Sequence, residues 1–280
     1  SPIDDTLPEQ TFHHLSYDSR DVQTQTLFFC KGLAFKEALL LDAITKGVTV
    51  YLSEISYDTQ ANEILVTDIR EAMAVIAQAF YRHPQDQLIK IAMTGTKGKT
   101  TVAYFVQQIL KDAYGPKVAL FSSEETTTDG VHYHPSALTT PEALVLYQQM
   151  AQAVEKGLTH VVMEVSSQAY KTKRVFGLTF DLGIFLNISP DHISPIEHET
   201  FEEYFLCKQE LLLHSKKMVM NHESDHFEVL ENLCQINHIP YLTYGGSTAD
   251  YPVIAMDDPR AFELKSATDP LAINGNYALT

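Results

Sequence analysis

Residues 91–110, IAMTGTKGKTTVAYFVQQIL, constrain this chain more than any other stretch. The apolar residues Ile89, Ile91 and Met93 read as a buried strand. The run breaks at Thr94-Gly95-Thr96-Lys97-Gly98-Lys99 and resumes with a helical period at Val102, Val106, Ile109, Leu110 and Ala113. A strand, a glycine-containing loop and a helix opening on Lys-Thr-Thr form an arrangement that cradles phosphate. Backbone N–H groups and the helix dipole face the anion, Lys99 reaches the outer phosphates, and Thr100 can hold magnesium. The common pattern G-x-x-x-x-G-K-[ST] would place Gly where Met93 stands, so the loop is a shorter variant. Its candidate ATP-binding residues are Thr94, Gly95, Thr96, Lys97, Gly98, Lys99, Thr100 and Thr101. Two lysines among glycines and threonines set it apart from an ordinary strand-to-helix turn.

Composition narrows the partners. The net charge of −16 argues against nucleic acid or an anionic membrane, so anionic ligands need loop amides, a few basic side chains and metal ions. Cys30, Cys207 and Cys234 are odd in number and far apart, which suggests neither a disulfide framework nor a zinc cluster. No run of about 18 apolar residues occurs. A cytoplasmic protein without membrane insertion is expected, with a monomer as its expected state. At 280 residues, two α/β domains are expected, split into 1–85 and 86–280.

In the first, residues 26–30 and 48–53 read as strands around a helix over 35–47, and 64–67 as a further strand. Asp68, with Glu71 three residues on, caps the next helix, and the polar stretch 83–87 reads as a linker. Asp18-Ser19-Arg20 is a polar turn before the first strand. The second part alternates strand and helix, which predicts a mostly parallel sheet covered on both faces. Its next strand covers 117–121, and Thr140 with Pro141 is expected to cap and open a helix.

Three polar groups stand out against apolar surroundings. Glu164 lies near the end of the strand HVVMEVSS, where a carboxylate is costly unless it meets a cation or a partner. The strand DLGIFLN delivers Asn187, Asp191 and His192 to the same edge, where open α/β sheets bind ligands. A helix capped by Thr200 and Glu203 carries Phe201, Tyr204, Lys208, Leu211 and Leu212 on one stripe. Lys208 thus fills a position that should be apolar. Either its stem covers core while the amine snorkels to water, or the amine points into the nucleotide site. Residues 216–221 and 241–245 read as further strands, and the stretch from Tyr251 alternates like short antiparallel strands. With no terminating signal after Asn274-Gly275-Asn276, a further domain is expected beyond residue 280.

Thr-Gly-Thr-Lys-Gly-Lys-Thr, Glu164-Val-Ser-Ser, Asn187-x-x-x-Asp191-His192 and Tyr204-x-x-Cys-Lys208, in that order, resemble the Mur ligases, and among them the MurE type of Gram-positive bacteria. The resemblance covers essentially the whole chain. It implies a UDP-sugar-binding domain followed by a P-loop ATPase domain, with the family's amino-acid-binding domain missing. The implied reaction is ATP-dependent addition of a third amino acid, with L-lysine expected, to UDP-N-acetylmuramoyl-L-alanyl-D-glutamate through an acyl phosphate. Without the missing domain, the chain alone is expected to be inactive. By resemblance, Ser19 contacts the uridine part, and Thr139, Thr140, Ser166 and Arg174 contact the remaining substrate. Thr100, Glu164 and His192 match magnesium positions, and Lys208 matches a lysine that the family carbamylates. Lys99, Asn187, Asp191, His192 and Lys208 form the implied catalytic set. Gln168 departs from the family's usual His, and Tyr277-Ala278 departs from its Phe-Asn. The alternatives are a folylpolyglutamate synthase-like ligase, a P-loop kinase or GTPase, and a non-catalytic nucleotide-sugar binder. Met93, and the lack of an Asn-Lys-x-Asp motif, weigh against the kinase or GTPase.

Overall fold

The computed structural model describes residues 10–32, 35–191, 193–194, 197–258 and 260–278. They divide into two compact units, Ser1–Phe80 and Tyr81–Thr280. In the first, β1 (His14–Ser16), β2 (Thr26–Phe29), β3 (Val50–Ser53) and β4 (Asn62–Leu65) form a parallel sheet in that order. Helix α1 (Glu37–Thr45) joins β2 to β3, and α2 (Ile69–Phe80) follows β4. Phe28, Leu40 and Tyr51 are fully buried and form its core with Cys30, Ala43 and Val48. Asp68 Oδ1 accepts the Glu71 N–H at 2.9 Å, so the expected cap on α2 forms.

The second unit is one mixed sheet. Its strands are β5 (Ile89–Thr94), β6 (Val118–Phe121), β7 (Glu125–Thr127), β8 (His134–Pro135), β9 (His160–Glu164), β10 (Leu182–Phe185), β11 (Met218–Asn221), β12 (Tyr241–Gly245), β13 (Tyr251–Ala255), β14 (Ala261–Leu264) and β15 (Gly275–Ala278). The spatial order is β15-β14-β13-β12-β11-β10-β5-β9-β6-β7-β8. Every pair from β13 across to β6 is parallel, and antiparallel strands finish both edges. The helices are α3 (Lys99–Tyr114), α4 (Ala143–Glu155), α5 (Ser167–Lys171), α6 (Phe201–Leu213) and α7 (Phe227–Ile236). Among the described residues, no helix is long and apolar enough to cross a membrane.

The apolar runs explain the central strands. All four residues of β6 are 0% exposed, as expected of a strand covered on both faces. Strand β5 lies between β9 and β10, and the chain leaves β5 for β6 before returning to fill both flanking places. That reversal of winding opens a crevice at the carboxyl ends of β5, β9 and β10.

Two local expectations give way to longer-range partners. The cap of α4 is Glu142 rather than Thr140, whose hydroxyl instead donates to the Glu164 carbonyl at 2.9 Å and accepts the Ser166 N–H at 3.1 Å. The polar stretch 83–87, expected as a linker, folds into the second unit as a 3-10 turn with Gln85 buried. The buried Lys90 amine donates to the Gln85 and Leu88 carbonyls and so draws that turn onto the sheet. The final stretch is antiparallel from β13 to β15, as its alternation suggests, but β13 runs parallel to β12 on its inner side.

Gly183 in β10 has no room for a side chain, since a Cβ there would stand 2.4 Å from Met218 Sδ and 2.5 Å from Ser215 Oγ. Gly183→Ala is expected to cost about 1–3 kcal/mol through overpacking. Urea unfolding of the variant would show it, and an unchanged midpoint would mean that the Met218 side chain yields freely.

Candidate active site

The loop after β5 is built against the end of β10. Gly98 has a φ of 84° as the cap of α3, a left-handed conformation that glycine adopts without strain. At Gly95 a Cβ would meet Leu186 Cβ at 3.0 Å, which sets how closely the loop approaches the residues after β10. The Thr96 N–H donates to the Asn187 carbonyl at 3.1 Å. The Asn187 side chain then clips Lys97 from both sides, accepting its N–H at 3.0 Å and donating to its carbonyl at 3.0 Å. Thr96 Oγ1 donates to the Ser189 carbonyl, accepts the Ser189 N–H, and lies 3.1 Å from the Tyr204 hydroxyl.

Two lysine amines converge on this loop. Lys99 folds back from the first turn of α3 to donate to the Gly95 carbonyl at 2.9 Å. Lys208, 2% exposed on α6, donates to the same oxygen at 2.8 Å and lies 4.8 Å from the centre of the Tyr204 ring. Burial, aided by the charge of Lys99 and opposed by Asp191, pushes the Lys208 amine down to about 7. Burial also lowers Lys99, against the pull of Glu164 and Asp191. The apolar stripe on α6 therefore carries an amine aimed at the loop, and the snorkelling alternative falls away.

Glu164 at the end of β9 is fully buried. Among the described residues its carboxylate hydrogen-bonds to Ser123 alone, taking the N–H at 2.8 Å and the hydroxyl at 3.0 Å. A carboxylate has about four lone-pair positions, so both oxygens keep capacity for a cation. Ser123 Oγ also lies 3.2 Å from Thr139 Oγ1. Arg174 reaches the Thr140 carbonyl at 3.1 Å and the Glu142 carboxylate at 3.3 Å.

Of the expected residues, Lys99, Thr139, Ser166, Arg174 and Lys208 line one cleft of about 240 Å3, together with Tyr204. Thr94 and Thr96 are buried in the loop, Lys97 is exposed, and Thr100 and Thr101 sit in the first turn of α3. Asp191 is exposed, yet its charge acts on both lysines. His192 lies outside the described residues. Among the described residues, no three His, Cys, Asp or Glu side chains gather in a group that could hold a metal ion.

Ser19 belongs to the first unit, where it is 4% exposed and its carbonyl accepts from Lys46 at 2.9 Å. Beside it, hydrogen bonding to Arg20 holds Asp18 down to about 2.

Sequence reasoning passed over Ser123, His198 and the hydroxyl pairing of Tyr204 with Thr96. Two serines directly after a buried strand were a readable signal for Ser123. His198 sits in an irregular polar segment with no period to mark it.

Comparison with known proteins adds the family. The chain is 52% identical to UDP-N-acetylmuramoyl-L-alanyl-D-glutamate--L-lysine ligase of Enterococcus faecalis, over 99% of this chain and 56% of that protein. The enzyme of the same name from Streptococcus mutans is 53% identical over 85% of this chain and 48% of its own length. The chain thus spans about half the length of the curated relatives it matches. A solved structure of UDP-N-acetylmuramoyl-L-alanyl-D-glutamate--2,6-diaminopimelate ligase superposes with a TM-score of 0.79 at 24% identity, covering all of this chain and 57% of that one, a likeness of fold. Residues 93–269 match the Mur ligase middle domain, and the chain belongs to the Mur ligase family.

Proposed function

We propose that this chain is the nucleotide-sugar- and ATP-binding part of a ligase that adds L-lysine to UDP-N-acetylmuramoyl-L-alanyl-D-glutamate. The observation that carries the reading is the buried Lys208 amine reaching the phosphate loop beside Lys99, in a cleft that also holds Thr139, Ser166 and Arg174. A non-catalytic binder has no use for a second lysine buried at such cost. The names of the relatives support lysine as the amino acid. In this reading the protein is a cytoplasmic monomer.

The loop amides and Lys99 hold the β- and γ-phosphates of ATP, and the substrate carboxylate attacks the γ-phosphorus in line. The acyl phosphate then takes the amine of the incoming amino acid, with release of phosphate. Thr139, Thr140, Ser166 and Arg174 hold the sugar-peptide substrate in the cleft, and Ser19 contacts its uridine. Asn187 fixes the loop, and Asp191 balances the two lysine charges.

Magnesium fits the donors present. Glu164 is a buried carboxylate that makes no salt bridge among the described residues, and Thr100 offers a hydroxyl at the mouth of α3. These two residues, with His192, would hold the ion, and it would neutralise charge on the phosphates. Lys208 as an ammonium opposes a cation. Its neutral amine can attack the carbon of carbon dioxide and lose one proton, leaving a carbamate and turning a positive side chain into an oxygen-bearing anion.

Calorimetric titration of the 280-residue chain is expected to show binding of UDP-N-acetylmuramoyl-L-alanyl-D-glutamate that weakens when the dipeptide is removed, and binding of Mg-ATP. Absence of both would overturn the reading. In a protein extended to the length of its relatives, Lys208→Ala is expected to lower kcat by about 100-fold or more, with partial rescue by small carboxylic acids. Full activity in that variant would remove Lys208 from the chemistry. Stability offers a further check, because the folded amine sits near 7 and the unfolded one near 10.5. The unfolded chain therefore binds more protons between those values, so the Lys208 contribution is least favourable below about pH 7 and improves as pH rises toward about 10.5. The parent is expected to gain, relative to Lys208→Met, on the order of a few kcal/mol across that window. Urea unfolding at several pH values measures it, and a difference that does not change with pH would contradict the buried-amine account.

A further inference from the structure

His198 is fully buried beside Ser167 of α5, Tyr204 of α6 and residues 193–194. Its Nε2 lies 2.8 Å from Ser167 Oγ, on a residue of the cleft wall. Its ring stands edge-on to Tyr204, with centroids 5.3 Å apart at 66°. Its carbonyl accepts the Ser194 N–H at 2.8 Å, and a β-bridge joins it to Ile193, which ties those two residues to it. Nδ1 has no hydrogen-bond partner among the described residues, and Glu203 Oε2 is 3.9 Å away. A buried imidazole with one ring nitrogen unpaired costs stability.

What it holds is Tyr204. The Tyr204 hydroxyl meets Thr96 in the phosphate loop, and its ring lies against the Lys208 amine. We propose that His198 is a positioning residue that, by bracing Tyr204 and Ser167, keeps the Lys208 amine shielded and aimed at the Gly95 carbonyl. The brace acts on geometry alone, whereas its effect on turnover rests on the ligase reading given above.

The test is amine labelling of the 280-residue chain with acetic anhydride, read lysine by lysine by mass spectrometry. Lys90 is an internal control, because it is also buried but stands at the other end of β5. In His198→Ala, Lys208 is expected to label about tenfold faster or more, with Lys90 unchanged, as befits a local opening. Should that variant fail to fold, His198→Asn fills much of the space without reaching Ser167, and the same selective gain at Lys208 is expected. Lys208 staying as protected as in the parent would overturn the proposal. So would equal loss of protection at Lys90, which would make His198 a general packing residue. In the extended protein, His198→Ala is expected to lower kcat about tenfold while KM for ATP stays within about threefold. If the parent extended protein ligates nothing, the ligase reading fails, and the labelling result still decides the role of His198.

Discussion

One carbonyl oxygen, that of Gly95, accepts from two lysine amines, and much of the second unit exists to make that meeting tolerable. Like charges this close repel, and burial adds to the cost. The fold answers with Glu164 and Asp191, whose charges act on Lys99, and with the Tyr204 ring, whose face attracts the Lys208 cation. The balance is incomplete, as the lowered Lys208 value shows. A site left short of negative charge in a strongly acidic protein is selective. In the proposed reading it draws phosphate locally, while the net charge of −16 repels polyanions from the surface as a whole.

The sheet separates this strained end from a well-tied one. At the amino ends of β5 and β10, the Lys90 N–H donates to Asp181 at 2.8 Å, and the Asp181 N–H returns a bond to the Lys90 carbonyl at 2.9 Å. Lys216 pairs with the other Asp181 oxygen at 2.7 Å. Locking one end leaves the carboxyl end as the place where loops differ and chemistry gathers.

What the sequence made legible is what local pattern encodes. The β5–loop–α3 unit showed itself because the apolar period changes from strand to helix across glycines. Glu164 and Lys208 showed themselves as charges where the pattern demanded apolar residues. What stayed hidden are pairings between distant residues. Thr140 reads as a cap because Thr-Pro-Glu follows a loop, yet Glu164 and Ser166 outbid the helix for its hydroxyl. The stretch 83–87 reads as a linker by polarity, yet the Lys90 amine takes the Gln85 carbonyl from five positions on. The bond between Thr96 and Tyr204 spans 108 positions and leaves no periodic trace.

The Asn187 clip imitates one more rung of a β-ladder past the end of β10, with a side-chain amide in place of a peptide. An amide can do this because it both donates and accepts, whereas a carboxylate of the same shape only accepts. One bond of the loop, from Asn187 to the Lys97 carbonyl, therefore depends on a single nitrogen atom. Hydrolytic ageing of that amide to an aspartate would break the rung on one side and set a negative charge beside the loop. Chemical damage too small to disturb the fold would thus reach the loop through one side chain, by way of the Lys97 carbonyl.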